Sequence, residues 1–193
     1  VIGGQGWEEE VESPRWIRLH AKRLRRLQQS MARKQYDKKT HKGSKNWEKA
    51  KKRVTAEQRK VKNQRKDFQH KLSRKIADRY SAFLCEDLHI KGMVKNRRLS
   101  REISSVAWGQ FFTMVKYKMQ RQGKWLIQVD RWYPSSQTCS CCGYKNPEVK
   151  DLAVRAWTCP KCGVYHDRDI NAKDNIFARG VKDLKAAGVT ILP

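Results

Sequence analysis

Apolar residues in the first eighty positions fall in narrow stripes, not in runs. Ser13 and Pro14 read as the N-cap and first position of a helix. Ile17, Leu24, Leu27 and Met31 then recur at helical spacing. Residues 37–43 break the pattern and predict a loop, after which Ser44 is placed to cap a second helix. There Trp47, Val54, Val61 and Phe68 return every seven residues, and Leu72 and Ile76 continue the stripe. Two long helices with narrow stripes and a short connection predict an antiparallel hairpin of coiled-coil type. The period then changes. Residues 81–85 are a short apolar run followed by Glu86 and Asp87, as expected of a buried strand leaving its sheet.

Residues 89–99 predict a basic loop. Residues 100–123 predict one helix, capped by Ser100 and closed by Gly123, with Ile103, Ala107, Phe111, Met114, Val115 and Met119 along it. A second strand follows at 125–130, again finishing in an acid, Asp130. A cysteine-rich segment comes next, then a helix over 170–179 with Asp169 as its N-cap and Gly180 as its stop. The pattern divides the chain into a residual strand and linker (1–13), a helical hairpin (14–80), an α/β core (81–132), a cysteine module (133–166) and a final helix with its tail (167–193).

Charge changes the reading of the hairpin. Residues 14–79 hold 25 Lys and Arg against 5 Asp and Glu, so they carry most of the net +25 of the 193-residue chain. Solvated helices usually alternate signs for i,i+4 pairing, whereas these are almost uniformly positive. A face of that kind calls for a polyanion, and nucleic-acid backbone is the expected one. Arg23, Arg26, Lys52, Arg53, Arg65 and Lys66 are the candidate phosphate contacts. Such contacts position a nucleic acid without reading its sequence. No apolar run approaches the roughly 20 residues that span a bilayer, so no membrane partner is expected.

Cys139 and Cys142, then Cys159 and Cys162, form two C-x2-C pairs separated by sixteen residues, a spacing typical of a four-cysteine zinc site. Four ligands close the tetrahedral shell, which makes the expected zinc structural, not catalytic. Gly143 and Gly163 follow the second cysteine of each pair and allow the tight turn that aims backbone N–H groups at sulfur. Disulfides are the alternative reading, and Cys141 and His166 are alternative ligands. Residues 1–11 lack a basic segment followed by an apolar one, so no secretory signal is read there. Clustered cysteines then point to a reducing compartment, the cytosol, with association to the nucleoid.

Three acids stand at element ends: Glu86, Asp130 and Asp169. Carboxylates so placed can converge on hard divalent ions, and a pair of such ions can drive phosphodiester hydrolysis. A solvated strand end and a simple helix cap are the ordinary alternatives. The segments EDLHIKGM (86–93), NRRLSREISSVAWGQF (96–111), DRWYPSSQTCSCCG (130–143) and CPKCGVYHDRDINAKDNI (159–176) together closely resemble TnpB. TnpB proteins are the OrfB-type proteins of insertion sequences, related to compact type V CRISPR effectors.

The resemblance runs from about Pro14 to Gly180. It implies an RNase H-like (RuvC) α/β nuclease fold, here N-terminally incomplete, with an inserted long helical hairpin and a four-cysteine zinc ribbon. It further implies DNA and a guide RNA as partners, with Mg²⁺ or Mn²⁺ as the catalytic ions. Glu86 and Asp169 become metal ligands, and Arg168 a contact to the scissile phosphate. The family's third acid, an Asp in a G-I-D-x-G-like motif, has no counterpart among residues 1–13. Asp130 is not its expected replacement. With Val1 in the place of an initiator Met, the sequence reads as a truncated copy of an RNA-guided, metal-dependent DNA endonuclease. The alternative is a catalytically dead nucleic-acid-binding remnant or repressor-like derivative, and the oligomeric state stays open.

Overall fold

The structure, a computed structural model, describes residues 2–4, 7–9, 11–12, 14–97 and 100–190, without the side chains of 2–9 and of Ile17. In chain order its elements are β1 (Ile2–Gly4), β2 (Trp7–Glu9), α1 (Trp16–Ala32), β3 (Tyr36–Asp37), β4 (Lys42–Gly43) and α2 (Lys45–Arg79). These are followed by β5 (Ala82–Glu86), α3 (Ile90–Met93), α4 (Ser100–Val106), α5 (Trp108–Arg121) and β6 (Trp125–Val129). The chain ends with β7 (Ala156–Thr158), β8 (Tyr165–Asp167) and α6 (Arg168–Ala186). They form two compact units: Val1–Glu12, Ile76–His89 and Val115–Pro193 in one, Ser13–Lys75 and Ile90–Met114 in the other. Residues 90–114 thus go with the hairpin, where the sequence pattern assigned them to the α/β core.

In the hairpin unit, Trp16 packs edge-on against Phe68, His20 meets Glu57, and Tyr36 stacks on Trp47. That progression makes α1 and α2 antiparallel, as the two stripes predict. α1 starts at Trp16, with Arg15 at the N-cap and no side-chain cap; Ser13, the expected cap, lies outside the described residues. Ser44 does cap α2, its Oγ accepting from Trp47 N at 3.3 Å. The connection is more ordered than a loop, because β3 and β4 pair within it, Tyr36 with Gly43 and Asp37 with Lys42.

The helix expected over 100–123 is two helices. Ala107 adopts φ +52° between them. The carbonyl of Val106, freed by that break, accepts from Gln69 Nε2 at 2.6 Å, and that of Ala107, which also starts α5, accepts from it at 3.2 Å. Orphan carbonyls at a helix end need such partners, and α2 supplies them. The basic stretch 89–99 likewise contains a short helix, α3.

In the other unit, β5 and β6 pair in parallel, from Ala82 with Trp125 to Glu86 with Val129. Parallel neighbours require a crossover, and α3 to α5 provide it. α6 packs on both strands. Gly180 is not its end but its closest approach, since a Cβ there would lie 2.9 Å from Leu84 Cδ1. α6 therefore continues to Ala186 where the sequence suggested a stop at Gly180. Ile76, Ala77, Val115, Met119, Val129 and Leu184 are buried in this unit. Lys124 Nζ donates to the carbonyl of Ala77, and Gln122 Nε2 to Asp78 Oδ1 at 2.7 Å, tying the end of α2 to the start of β6.

Candidate metal centre and carboxylate site

The two cysteine pairs fold into near-identical knuckles. In the first, Gly143 N donates to Cys139 O at 2.9 Å and Cys139 N to Tyr144 O at 2.8 Å. In the second, Gly163 N donates to Cys159 O at 2.8 Å and Cys159 N to Val164 O at 2.9 Å. Both glycines have positive φ, +73° and +74°, a backbone that L side chains adopt only with strain. The four sulfurs lie within 4.8 Å of one another. Cys139 to Cys162 is 3.7 Å and Cys142 to Cys159 is 3.6 Å. Zn–S bonds of about 2.3 Å in a tetrahedron demand sulfur separations of about 3.8 Å. The cluster can hold a metal ion, and its spacing fits zinc. Cys141, the alternative ligand, points to solvent.

His166, the other alternative, has a different task. Its Nε2 lies 3.0 Å from Cys139 Sγ, and its ring packs 4.9 Å from Trp157. With its proton on Nε2, the imidazole would donate to that sulfur. It then acts as a donor that orients a ligand, the usual second layer of a metal site.

The module is fastened to α6 by two asparagines one turn apart. Asn171 is fully buried: its Oδ1 accepts from Ser140 N at 3.0 Å, and its Nδ2 donates to Thr138 O at 2.8 Å. Asn175 Nδ2 donates to Ser135 O at 2.8 Å and Thr138 O at 2.6 Å. Sequence reasoning missed both, although two Asn four residues apart on one helix face was the available signal. Arg168, expected to contact a scissile phosphate, is buried and faces the module. Its Nη1 donates to the carbonyls of Asp151, at 2.8 Å, and Val154.

Asp167, not Asp169, caps α6. Its Oδ1 accepts from Asp169 N at 2.9 Å and Ile170 N at 3.0 Å. The Asp169 carboxylate is thereby left exposed in the first helical turn, with no backbone group to satisfy. Glu86 ends β5, half-buried, and no described residue donates a hydrogen bond to it. Burial, and then the neighbouring charge of Asp87, raise its pKa above the ordinary carboxylate value. Asp87 is itself paired with Arg131, whose Nε lies 2.9 Å from Oδ2 and whose Nη2 also contacts it. Asp130 is committed to a turn, accepting from Trp132 N at 2.7 Å. Cys85 is inert, its thiol pushed up to about 12 by burial and by the adjoining acids. Among the described residues, the four cysteines are the one group of three or more ligand-type side chains close enough to share an ion.

The six candidate phosphate contacts divide. Arg26, Lys52, Arg53 and Lys66 are exposed on the hairpin. Arg23 is exposed too, but its Nε pairs with Glu57 Oε2 at 3.1 Å. Arg65 is turned inward, and its Nη1 donates to the carbonyls of Ser104 and Ser105 at the end of α4, at 3.3 and 3.5 Å. No helix among the described residues is long and apolar enough to cross a membrane.

Comparison with known proteins gives this geometry a family. The OrfB family of IS605 elements, described as "Probable transposase", matches residues 7–97, and the Cas12f1-like TNB domain matches residues 108–176. A "Putative RNA-guided DNA endonuclease" of Streptomyces pristinaespiralis is 38% identical over 173 residues, 90% of this chain and 41% of the relative. InsQ of Escherichia coli K12, described in the same words, is 28% identical over 82% of this chain and 41% of its own length. TnpB-like protein L79 of Acanthamoeba polyphaga mimivirus is 28% identical over 64% of this chain and 24% of its own length. A solved Cas12f1–sgRNA–target DNA complex shares the fold of 65% of this chain and 37% of its own, with a TM-score of 0.51 at 22% identity. The chain spans about two-fifths of the length of the first of these relatives. On these matches the chain belongs to the TnpB-type proteins of insertion sequences.

Proposed function

We propose that the chain forms part of an RNA-guided, metal-dependent DNA endonuclease with a RuvC-type site, to which it contributes Glu86 and Asp169. One observation carries the reading: each acid is free of the structural task that would ordinarily explain it. Asp167 takes over the capping of α6, and Arg131 pairs with Asp87 and not with Glu86. Their elements, β5 and α6, pack together in one unit, and ligands of open α/β folds gather at the carboxyl ends of strands. An unpaired glutamate with a raised pKa fits a site completed by cations. Glu86 and Asp169 would hold Mg²⁺ or Mn²⁺, which when bound supply an activated water and stabilise the phosphodiester's developing charge. Oxygen donors of this kind suit those hard ions.

The four-cysteine cluster, filled by structural zinc, is the core of a zinc ribbon. Through Asn171 and Asn175 the ribbon fixes the first turn of α6, and so the position of Asp169. Arg26, Lys52, Arg53 and Lys66 supply backbone contacts to the guide RNA or target DNA. A second reading, nucleic-acid binding without cleavage, rests on the same exposed cations, which can hold a phosphate backbone whether or not the acids hold a metal.

A nuclease assay on single- and double-stranded DNA with Mg²⁺ or Mn²⁺ separates the two readings. It compares the chain with Asp169→Ala and Glu86→Ala, alone and with the N-terminal portion of a relative added. Cleavage lost in either variant supports the endonuclease. Tight, salt-sensitive binding without cleavage in every arm, and without Mn²⁺ uptake, supports the binding remnant.

A further inference from the structure

The tip of the helical hairpin is more elaborately built than a connection needs to be. Asp37 fixes the turn, accepting from Lys39 N at 2.8 Å and Thr40 Oγ1 at 2.7 Å. His41 takes a left-handed backbone, φ +53°, and its Nδ1 lies 3.3 Å from Tyr36 Oη. Gly43 leaves room for the indole of Trp47, which a Cβ at that position would strike. Tyr36 stacks on Trp47 with ring centres 4.6 Å apart and planes at 24°, while Lys51 Nζ lies 5.0 Å from the indole. Trp47 already covers the backbone of the turn at Gly43. Tyr36 adds a second ring that remains 37% exposed, although one of its faces is covered by Trp47. Residues 33–45 carry six Lys and Arg against one Asp, and that Asp is occupied within the turn.

We infer that this tip is a binding site for unpaired RNA, with a base stacked on the open face of Tyr36 and phosphates held by Lys38, Lys39 and Lys42. A rigid aromatic ring among cations is the combination that binds single strands, because every base offers a π-face and every nucleotide a phosphate. In a duplex those faces are already covered by neighbouring pairs. RNA is the partner that regularly displays unstacked bases in loops and ends. The inference adds a site to those on the helix faces and does not depend on the carboxylates.

The test is binding by fluorescence anisotropy with no added magnesium or manganese, so its result is independent of cleavage. The probes are a short unstructured RNA, its DNA counterpart and the RNA duplex of the same sequence. Tyr36→Ala and Tyr36→Leu weaken the single-stranded RNA by about 5- to 100-fold, and Tyr36→Phe binds as the parent does. The duplex is held equally by all of them. Replacing Lys38, Lys39 and Lys42 with Ala lowers the salt slope for the single strand by about 2. Ultraviolet crosslinking of a 5-iodouridine RNA to the unaltered chain, mapped by mass spectrometry, places the adduct at Tyr36. Equal losses for RNA and its duplex, losses confined to DNA, or adducts only outside residues 36–47 would each overturn the inference.

Discussion

Glu57 and Glu86 are the same residue in two opposite situations. Glu57 is 5% exposed on the hairpin seam, where His20 Nδ1 contacts Oε1 at 2.6 Å and Arg23 Nε contacts Oε2 at 3.1 Å. The His20 hydrogen bond, against some burial and with help from Arg23, holds its pKa below the ordinary value. Glu86 has burial and a neighbouring acid but no donor, and its pKa moves up. A buried charge that is fully paired serves structure; one left unpaired is tolerated where something else completes it. On the hairpin seam Glu57 has both of its oxygens paired, whereas Glu86 at the strand end has no donor among the described residues.

The comparison is broken most severely by removing metal. Structural zinc contributes on the order of 10 kcal/mol to the folding of small cysteine modules. Chelation should therefore abolish hydrogen-exchange protection over residues 139–166 and the first turns of α6, while α1 and α2 keep theirs. Loss of protection in the hairpin as well would mean that the two units are not separate. A smaller cut is Asn171→Ala. It removes the acceptor of Ser140 N–H and one of the two donors to Thr138 C=O, which keeps Asn175 Nδ2, and should cost about 1–3 kcal/mol, read as a lower thermal midpoint. With zinc still bound, that result would assign the loss to the junction and not to the cluster.

The two glutamates give opposite pH dependences. The depressed pKa of Glu57 stabilises the fold above the ordinary value of 4.5 and is lost as pH falls through the lowered value. Glu57→Gln should thus lower the midpoint by several degrees at neutral pH and have little effect in acid. The raised pKa of Glu86 means that its contribution is full below 4.5 and lost as pH rises through the raised value. Glu86→Gln should then raise the midpoint slightly at neutral pH, the smallest of these effects, and remove any stabilisation by added Mn²⁺. A glutamate whose removal stabilises the fold is one kept for another purpose. If Glu86→Gln destabilised the chain, Glu86 would resemble Glu57 and the contrast would disappear.

Local spacing already contained much of this protein. The heptad of Trp47, Val54, Val61 and Phe68 predicts α2 because an apolar stripe has one way to be buried by a partner helix. The two C-x2-C-G knuckles predict their own geometry because ligand bite and a left-handed glycine are properties of a few adjacent residues. The run to Glu86 predicts a strand for the same kind of reason. Only tertiary structure could split the helix at Ala107, since the partner of the freed Val106 carbonyl, Gln69, lies 37 residues away. Tertiary packing likewise carried α6 past Gly180, where Leu84 leaves no room for a side chain, and turned Arg168 and Arg65 inward onto carbonyls. The choice of Asp167 over Asp169 as cap rests on a single residue of register, and it leaves the Asp169 carboxylate free. Composition and spacing fix which groups are available; which of them are already paired depends on contacts distant in sequence.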